Sequence, residues 1–92
     1  MARVTCELPS VLDGIVGGRR QVEVEASTLA GALDALVAEL PALRTHLYDE
    51  RGAFRQHVLC FHNERNTRWL DDLEVAVADG DVIRFLQAVS GG

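Results

Sequence analysis

Asp79-Gly80-Asp81-Val82-Ile83-Arg84-Phe85-Leu86, running on into Gln87-Ala88-Val89-Ser90-Gly91-Gly92, is the stretch from which the architecture of this 92-residue sequence is most readily read. Asp-Gly-Asp is turn chemistry, because glycine takes backbone angles closed to other residues and aspartate side chains bond nearby amides. Residues 82–86 form a short apolar run of the β-branched and aromatic types that favour a strand. Alternation along it sends Ile83 and Phe85 to one face and Val82, Arg84 and Leu86 to the other. The strand then runs into a segment ending in Gly91-Gly92. A flexible tail of residues 87–92 is therefore expected to project from a rigid body.

The rest of the sequence supplies that body. Residues 2–8 alternate, with Ala2, Val4, Cys6 and Leu8 on one side and Arg3, Thr5 and Glu7 on the other, as in a half-buried strand. Pro9 and Ser10 end it, a loop with turn signals at Asp13-Gly14 and Gly17-Gly18 follows, and residues 20–25 alternate again around Val22 and Val24. Two such strands predict a hairpin with a long loop. The period then changes. Leu29, Leu33, Leu36, Val37 and Leu40 recur at helical spacing, with Asp34 and Glu39 opposite and Ser27 or Thr28 as the N-cap. Pro41 either ends this helix or begins a short second one carrying Leu43 and Leu47. The stretch Asp49-Glu50-Arg51-Gly52 reads as a loop and residues 57–62 as a third strand, with a polar turn over residues 63–66. The segment with Trp69, Leu70 and Leu73 has room for a short strand. Strand, strand, helix, strand, minor elements, strand is the order of an α+β fold in which a mixed sheet of four to five strands curls around one main helix, the β-grasp.

Bulk properties narrow the function. Ninety-two residues make a single domain, with little volume for a deep cleft. A hydrophobic fraction of 48% with 25% charged residues is globular rather than disordered. No apolar run approaches the roughly 20 residues that span a bilayer, and the first residues read as a strand rather than a secretory signal, so a cytoplasmic location is expected. A net charge of −5 argues against nucleic acid or an anionic membrane as partner and favours basic protein surfaces. Cys6 and Cys60 each sit within apolar alternation, which suits reduced core thiols, a cross-strand disulfide being the alternative. The nine basic residues are all arginine. Without lysine the chain offers no side-chain amine to an activated carboxyl group; an arginine-rich genome is the plainer explanation.

Side-chain chemistry points away from catalysis. Cys60 and His62 share a strand face, but His57 falls on the other, and no Cys-x-x-Cys or His-x-x-x-His pair joins them or His46 in a tetrahedral metal site. Two cysteines cannot hold an iron–sulfur cluster that needs four. Cys60 lies between Leu59 and Phe61, where a thiol is buried and inert. Asp71, Asp72, Asp79 and Asp81 are explained by turn chemistry, and Gly14, Gly17 and Gly18 precede no convincing helix that would cradle a phosphate. The ending is different. Glycine is about 7% of average sequences, so two terminal glycines arise by chance roughly once in 200. Lacking side chains, they can thread a narrow channel and present an unhindered carboxylate to a nucleotide α-phosphate.

On these residues the sequence resembles the MoaD/ThiS family of ubiquitin-like sulfur carrier proteins. The resemblance is carried by the first strand with its Leu8-Pro9 exit, the Thr28-Leu29 helix start with Leu33 and Leu36, the Asp79-Gly80-Asp81 turn, the strand of residues 82–86, and the tail Ala88-Val89-Ser90-Gly91-Gly92. It spans essentially the whole chain. It implies a carrier cycle: a ubiquitin-activating-type adenylating enzyme uses Mg-ATP to convert the Gly92 carboxylate to an acyl-adenylate, a sulfur donor replaces AMP to give a thiocarboxylate, and a second enzyme accepts the sulfur. The carrier binds no cofactor or metal of its own. Gly92 is the reacting residue and Gly91 keeps the tail slim. Molybdopterin-synthase small subunits usually carry two prolines before the final V-x-G-G, where this chain has Gln87-Ala88. Pro9-Ser10-Val11-Leu12 and the Gly17-Gly18 loop look more like the carrier serving a cysteine synthase. The sulfur acceptor is thus expected to be cysteine synthase-like, with the molybdopterin synthase large subunit second and thiazole synthesis third.

Partner contacts are expected on the sheet face away from the helix, at Val82, Arg84 and Leu86, and along the tail at Val89 and Ser90. Leu86 either docks a partner or closes the core edge. Two rival readings remain: a ubiquitin-like modifier conjugated through Gly92 to lysines of other proteins, and a β-grasp interaction module whose glycines are incidental.

Overall fold

The first expected strand is β1, Ala2–Glu7, with alternate residues buried. It pairs antiparallel with β2, Gln21–Ala26, in a register running from Ala2 opposite Ala26 to Glu7 opposite Gln21. The computed structural model describes residues 1–87. The connection read as a loop is more ordered than that. A 3-10 turn at Ser10–Leu12 leads into a single helical turn, α1, Asp13–Val16, and together they bury Leu12 and Val16 against the core. Gly17 ends the turn at φ 64, and Asp13 receives Arg20 Nη2 at 2.7 Å. One turn leaves too few residues for a helical period to show in the sequence.

The main helix, α2, is Leu29–Glu39, and it buries Leu29, Ala32, Leu33, Leu36 and Val37 while Asp34 and Glu39 are exposed. Of the two N-cap candidates Thr28 acts, its Oγ1 accepting from Gly31 N at 3.1 Å, which satisfies one of the unpaired first-turn amides. Pro41 begins rather than merely ends structure: Pro41–Leu43 is a 3-10 turn leading into α3, Arg44–Leu47, which buries Leu43 and Leu47. Beyond it the chain folds back, Tyr48 bridging to Phe54 with their rings stacked at 5.0 Å, and Phe54 meets Phe85 edge-on at 6.3 Å.

The third strand, β3, is Val58–His62. The stretch read as a polar turn contains a short edge strand, β4, Arg65–Asn66, which pairs antiparallel with β3 through a tight connection made possible by Asn63 at φ 56. The neighbouring segment with Trp69, Leu70 and Leu73, expected to have room for a short strand, begins with a 3-10 turn at Thr67–Trp69 instead. The last strand, β5, is Val82–Gln87. It lies at the centre of the sheet, order β2-β1-β5-β3-β4, parallel to β1 and antiparallel to β3. Gln87, expected in the tail, is opposite Val58 and belongs to the sheet. One sheet face and α2 enclose the core, in which Val4, Cys6, Leu29, Leu36, Ile83 and Phe85 are all at most 1% exposed. Burying each of the larger of these contributes roughly 1.5–3 kcal/mol.

Candidate functional site

The strand that leads to the C-terminal segment, β5, is held on both sides, by β1 and by β3. Its entry is fixed by the Asp79-Gly80-Asp81 turn. Gly80 takes φ 88, where a Cβ would be strained. Asp79 Oδ1 accepts from Arg3 N at 2.8 Å, and Gly80 N donates to Arg3 O at 3.0 Å, tying the turn to β1. Asp81 ties it to β3: its carboxylate accepts from Ala78 N at 2.9 Å and from Asn63 Nδ2 at 3.2 Å, and lies 2.8 Å from His62 Nε2. Asn63 Oδ1 in turn accepts from Val82 N at 2.9 Å. The backbone amide of Ala78, then His62 and Asn63, hold the Asp81 carboxyl below the ordinary carboxylate range. Turn chemistry therefore accounts for Asp79 and Asp81. The partnership with His62 had no local signal, since the two residues are brought together only by the pairing of β3 with β5.

Along β5 the expected alternation holds. Ile83 and Phe85 are buried, Val82 is half-buried, Arg84 is exposed, and Leu86 is 43% exposed. Leu86 thus opens onto the outer sheet face and does not close the core. Its cross-strand partner is Leu59, and that of Arg84 is Phe61, both half-buried. Cross-strand pairs share a face, so Leu59, Phe61 and Leu86 form an apolar patch that the sequence reading missed. The signal was present in their alternation with Cys60, hidden by a strand that is apolar on both faces. The other half of the sheet is charged. Arg84 Nε donates to Glu7 Oε1 at 2.7 Å, and Arg3 lies 3.5 Å from Glu25 and 3.7 Å from Glu23.

The other candidates are dispersed. Cys6 and Cys60 are free, buried thiols, and burial pushes both up to about 12; such thiols are not activated nucleophiles. Thr67, itself buried, lowers the Cys60 thiol and so offsets part of that rise. His46 and His57 are exposed and apart from His62. Among the described residues no three of His, Cys, Asp and Glu are grouped to hold a metal, and no helix is long and apolar enough to cross a membrane. Gly91 and Gly92, with Val89 and Ser90, lie outside the described residues; the structure brings the chain as far as Gln87, beside the start of β3.

Comparison with known proteins agrees with this architecture. The sulfur carrier protein CysO of Mycobacterium tuberculosis is 31% identical over 91 residues, 97% of this chain and 98% of that protein. Its crystal structure matches at a TM-score of 0.81 with 30% identity, covering 94% of this chain and 99% of that one. Small archaeal modifier protein 1 of Haloferax volcanii is 34% identical over 80 residues, 84% of this chain and 87% of that protein. Its crystal structure matches at 0.80 with 30% identity, over 99% and 100% of the two chains. The matched chain in the crystal structure of the Amycolatopsis orientalis BexX/CysO complex gives 0.82 at 28% identity, over 97% and 99%. Since the family model described as the ThiS family also matches residues 8–92, this β-grasp chain belongs to the ThiS family, within the MoaD/ThiS ubiquitin-like sulfur carriers.

Proposed function

We propose that this chain is a sulfur carrier that works through the Gly92 carboxylate. A carboxylate oxygen attacks the α-phosphorus of Mg-ATP in a ubiquitin-activating-type enzyme and releases pyrophosphate. A hydrosulfide-equivalent sulfur then displaces AMP, leaving a thiocarboxylate that a second enzyme consumes. The carrier supplies a positioned reactant rather than an acid, base or metal, so its contribution is to deliver one carboxyl group into another protein's site. The observation that carries this reading is the Val89-Ser90-Gly91-Gly92 ending in a chain that matches a sulfur carrier protein almost end to end. The same relative favours a cysteine synthase-like acceptor over the molybdopterin synthase large subunit. In the Amycolatopsis structure a chain like this one occurs in a BexX/CysO complex, which supports docking onto a partner protein. The apolar patch of Leu59, Phe61 and Leu86, with Val82 and Arg84 beside it, is the surface we assign to that docking, and Val89 and Ser90 are the tail contacts.

The likeness to a small archaeal modifier protein favours a second reading, in which Gly92 becomes amide-linked to lysines of target proteins. The absence of lysine from this chain is compatible with both, because either requires an activated carboxyl group that does not react with the carrier's own side chains. Intact-mass measurement on protein isolated from its own cells separates them. One oxygen replaced by sulfur supports the carrier, and Gly-Gly remnants on lysines of other proteins support the modifier. Deleting Gly92 is expected to abolish adenylation while leaving thermal unfolding unchanged; a truncated chain adenylated at the full-length rate overturns the proposal.

A further inference from the structure

The arginines divide into two groups. Arg3, Arg19, Arg20 and Arg84 each lie within 4.0 Å of a carboxylate. The other five, Arg44, Arg51, Arg55, Arg65 and Arg68, have no such partner among the described residues, and all fall within residues 44–68, where the acids are only Asp49, Glu50 and Glu64. A chain of net charge −5 thus carries one region with an excess of unpaired cations.

Two of these guanidinium groups are held in place. Arg68 Nη2 donates to Gln56 O at 2.7 Å and to Val58 O at 3.3 Å, covering the edge of β3 beyond the reach of β4. Arg55 Nε donates to Thr45 O at 2.7 Å. In both, the remaining nitrogens have no hydrogen-bond acceptor among the described residues. The turn between them is closed by Val58 N donating to Arg55 O at 2.9 Å, and it exposes His57. Val58 is the register partner of Gln87, so this cationic turn borders the strand end from which the C-terminal segment continues.

A guanidinium already fixed by a backbone carbonyl presents its free fork with little further loss of side-chain freedom, and that fork matches a carboxylate. We propose that Arg55 and Arg68, with His57 between them in sequence, form a cationic anchor that docks on carboxylates rimming the channel of the enzyme that receives the tail. This rests on the carrier reading above and adds the chemistry of the partner's surface. A chain of net charge −5 is otherwise repelled by carboxylates, so carboxylates at the channel rim would favour an approach that leads with this end. The anchor therefore orients the tail as well as adding affinity.

The test is steady-state adenylation of the full chain by the adenylating enzyme from the same organism. Arg55→Gln/Arg68→Gln is expected to raise KM for the carrier about tenfold with kcat unchanged, and to flatten the dependence of KM on salt, as for loss of rim charges. His57→Glu, which adds an opposing charge at an exposed position and breaks no hydrogen bond of either arginine, is expected to raise KM in the same direction. Arg65→Gln, at the far end of β3, is expected to leave KM unaltered. Unchanged KM and salt dependence in both anchor variants overturns the anchor while leaving the carrier reading intact. If the wild-type chain is not adenylated at all, the carrier reading fails and a second probe decides the anchor: titration with octaglutamate at low salt. Amide shifts confined to residues 55–58, Arg68 and Gln87 support it, and their absence there overturns it.

Discussion

Phe85 and Leu86 are adjacent, similar in hydrophobicity, and opposite in environment: 1% against 43% exposed. The difference comes from the two-residue period of a strand, which allows one to be core and the other surface without any difference in type. Their truncations should therefore separate stability from docking. Phe85→Ala removes a ring packed in the core and against Phe54 and is expected to cost roughly 3–5 kcal/mol. Leu86→Ala is expected to change stability by no more than about 0.5 kcal/mol while weakening association with the activating enzyme. Urea denaturation of each variant, alongside partner binding, checks the pair; a Leu86→Ala chain that unfolds as readily as Phe85→Ala contradicts the assignment. Leu59 and Phe61 join Leu86 only through register, which is why a single-strand reading left Leu86 open between docking and closing the core edge and missed the patch.

The Asp79-Gly80-Asp81 turn was legible as a turn, since Asp and Gly carry that information in their own side chains and backbone freedom. What it secures was not. Asp79 reaches Arg3, and Asp81 reaches His62 and Asn63, so one tight turn couples β1, β3 and β5. This has a pH consequence with a definite sign. The folded state lowers the pKa of Asp81 through the Ala78 amide, His62 and Asn63. Its contribution is then fully present above the unfolded value, about pH 4, and is lost as pH falls through the lowered folded value. Stability measured by urea denaturation should fall more steeply with acid in the wild type than in Asp81→Asn, which is expected to be less stable by roughly 2 kcal/mol at neutral pH after losing charge-assisted hydrogen bonds. Equal acid sensitivity in the two would remove Asp81 from this role. The other short elements, α1 and β4, escaped prediction because a single turn or a two-residue strand has too few positions for a period.

Cys6 and Cys60 report on the molecule as one cooperative body, being 0% and 2% exposed on different strands of the same core, with thiols pushed up to about 12 by burial. Both are expected to resist alkylation at pH 8 in the folded protein and to become labelled together at the rate of global opening. Labelling of one well before the other, followed by mass, would show that the sheet opens in parts. The distribution of charge is likewise a property of the assembled chain: Arg55 and Arg68, without carboxylate partners and held at the turn that borders the end of β5, and an acidic excess outside residues 44–68 are invisible in a net value of −5. Strand and helix periods, a helix cap at Ser27 or Thr28, the Asp-Gly-Asp turn and the order of the principal elements follow from residues close together in the chain, because each depends on interactions within a few positions. The placement of β5 between β1 and β3, the joining of His62 to Asp81, the apolar patch and the cationic end depend on pairing between residues far apart in sequence, which only packing of the whole sheet against α2 selects.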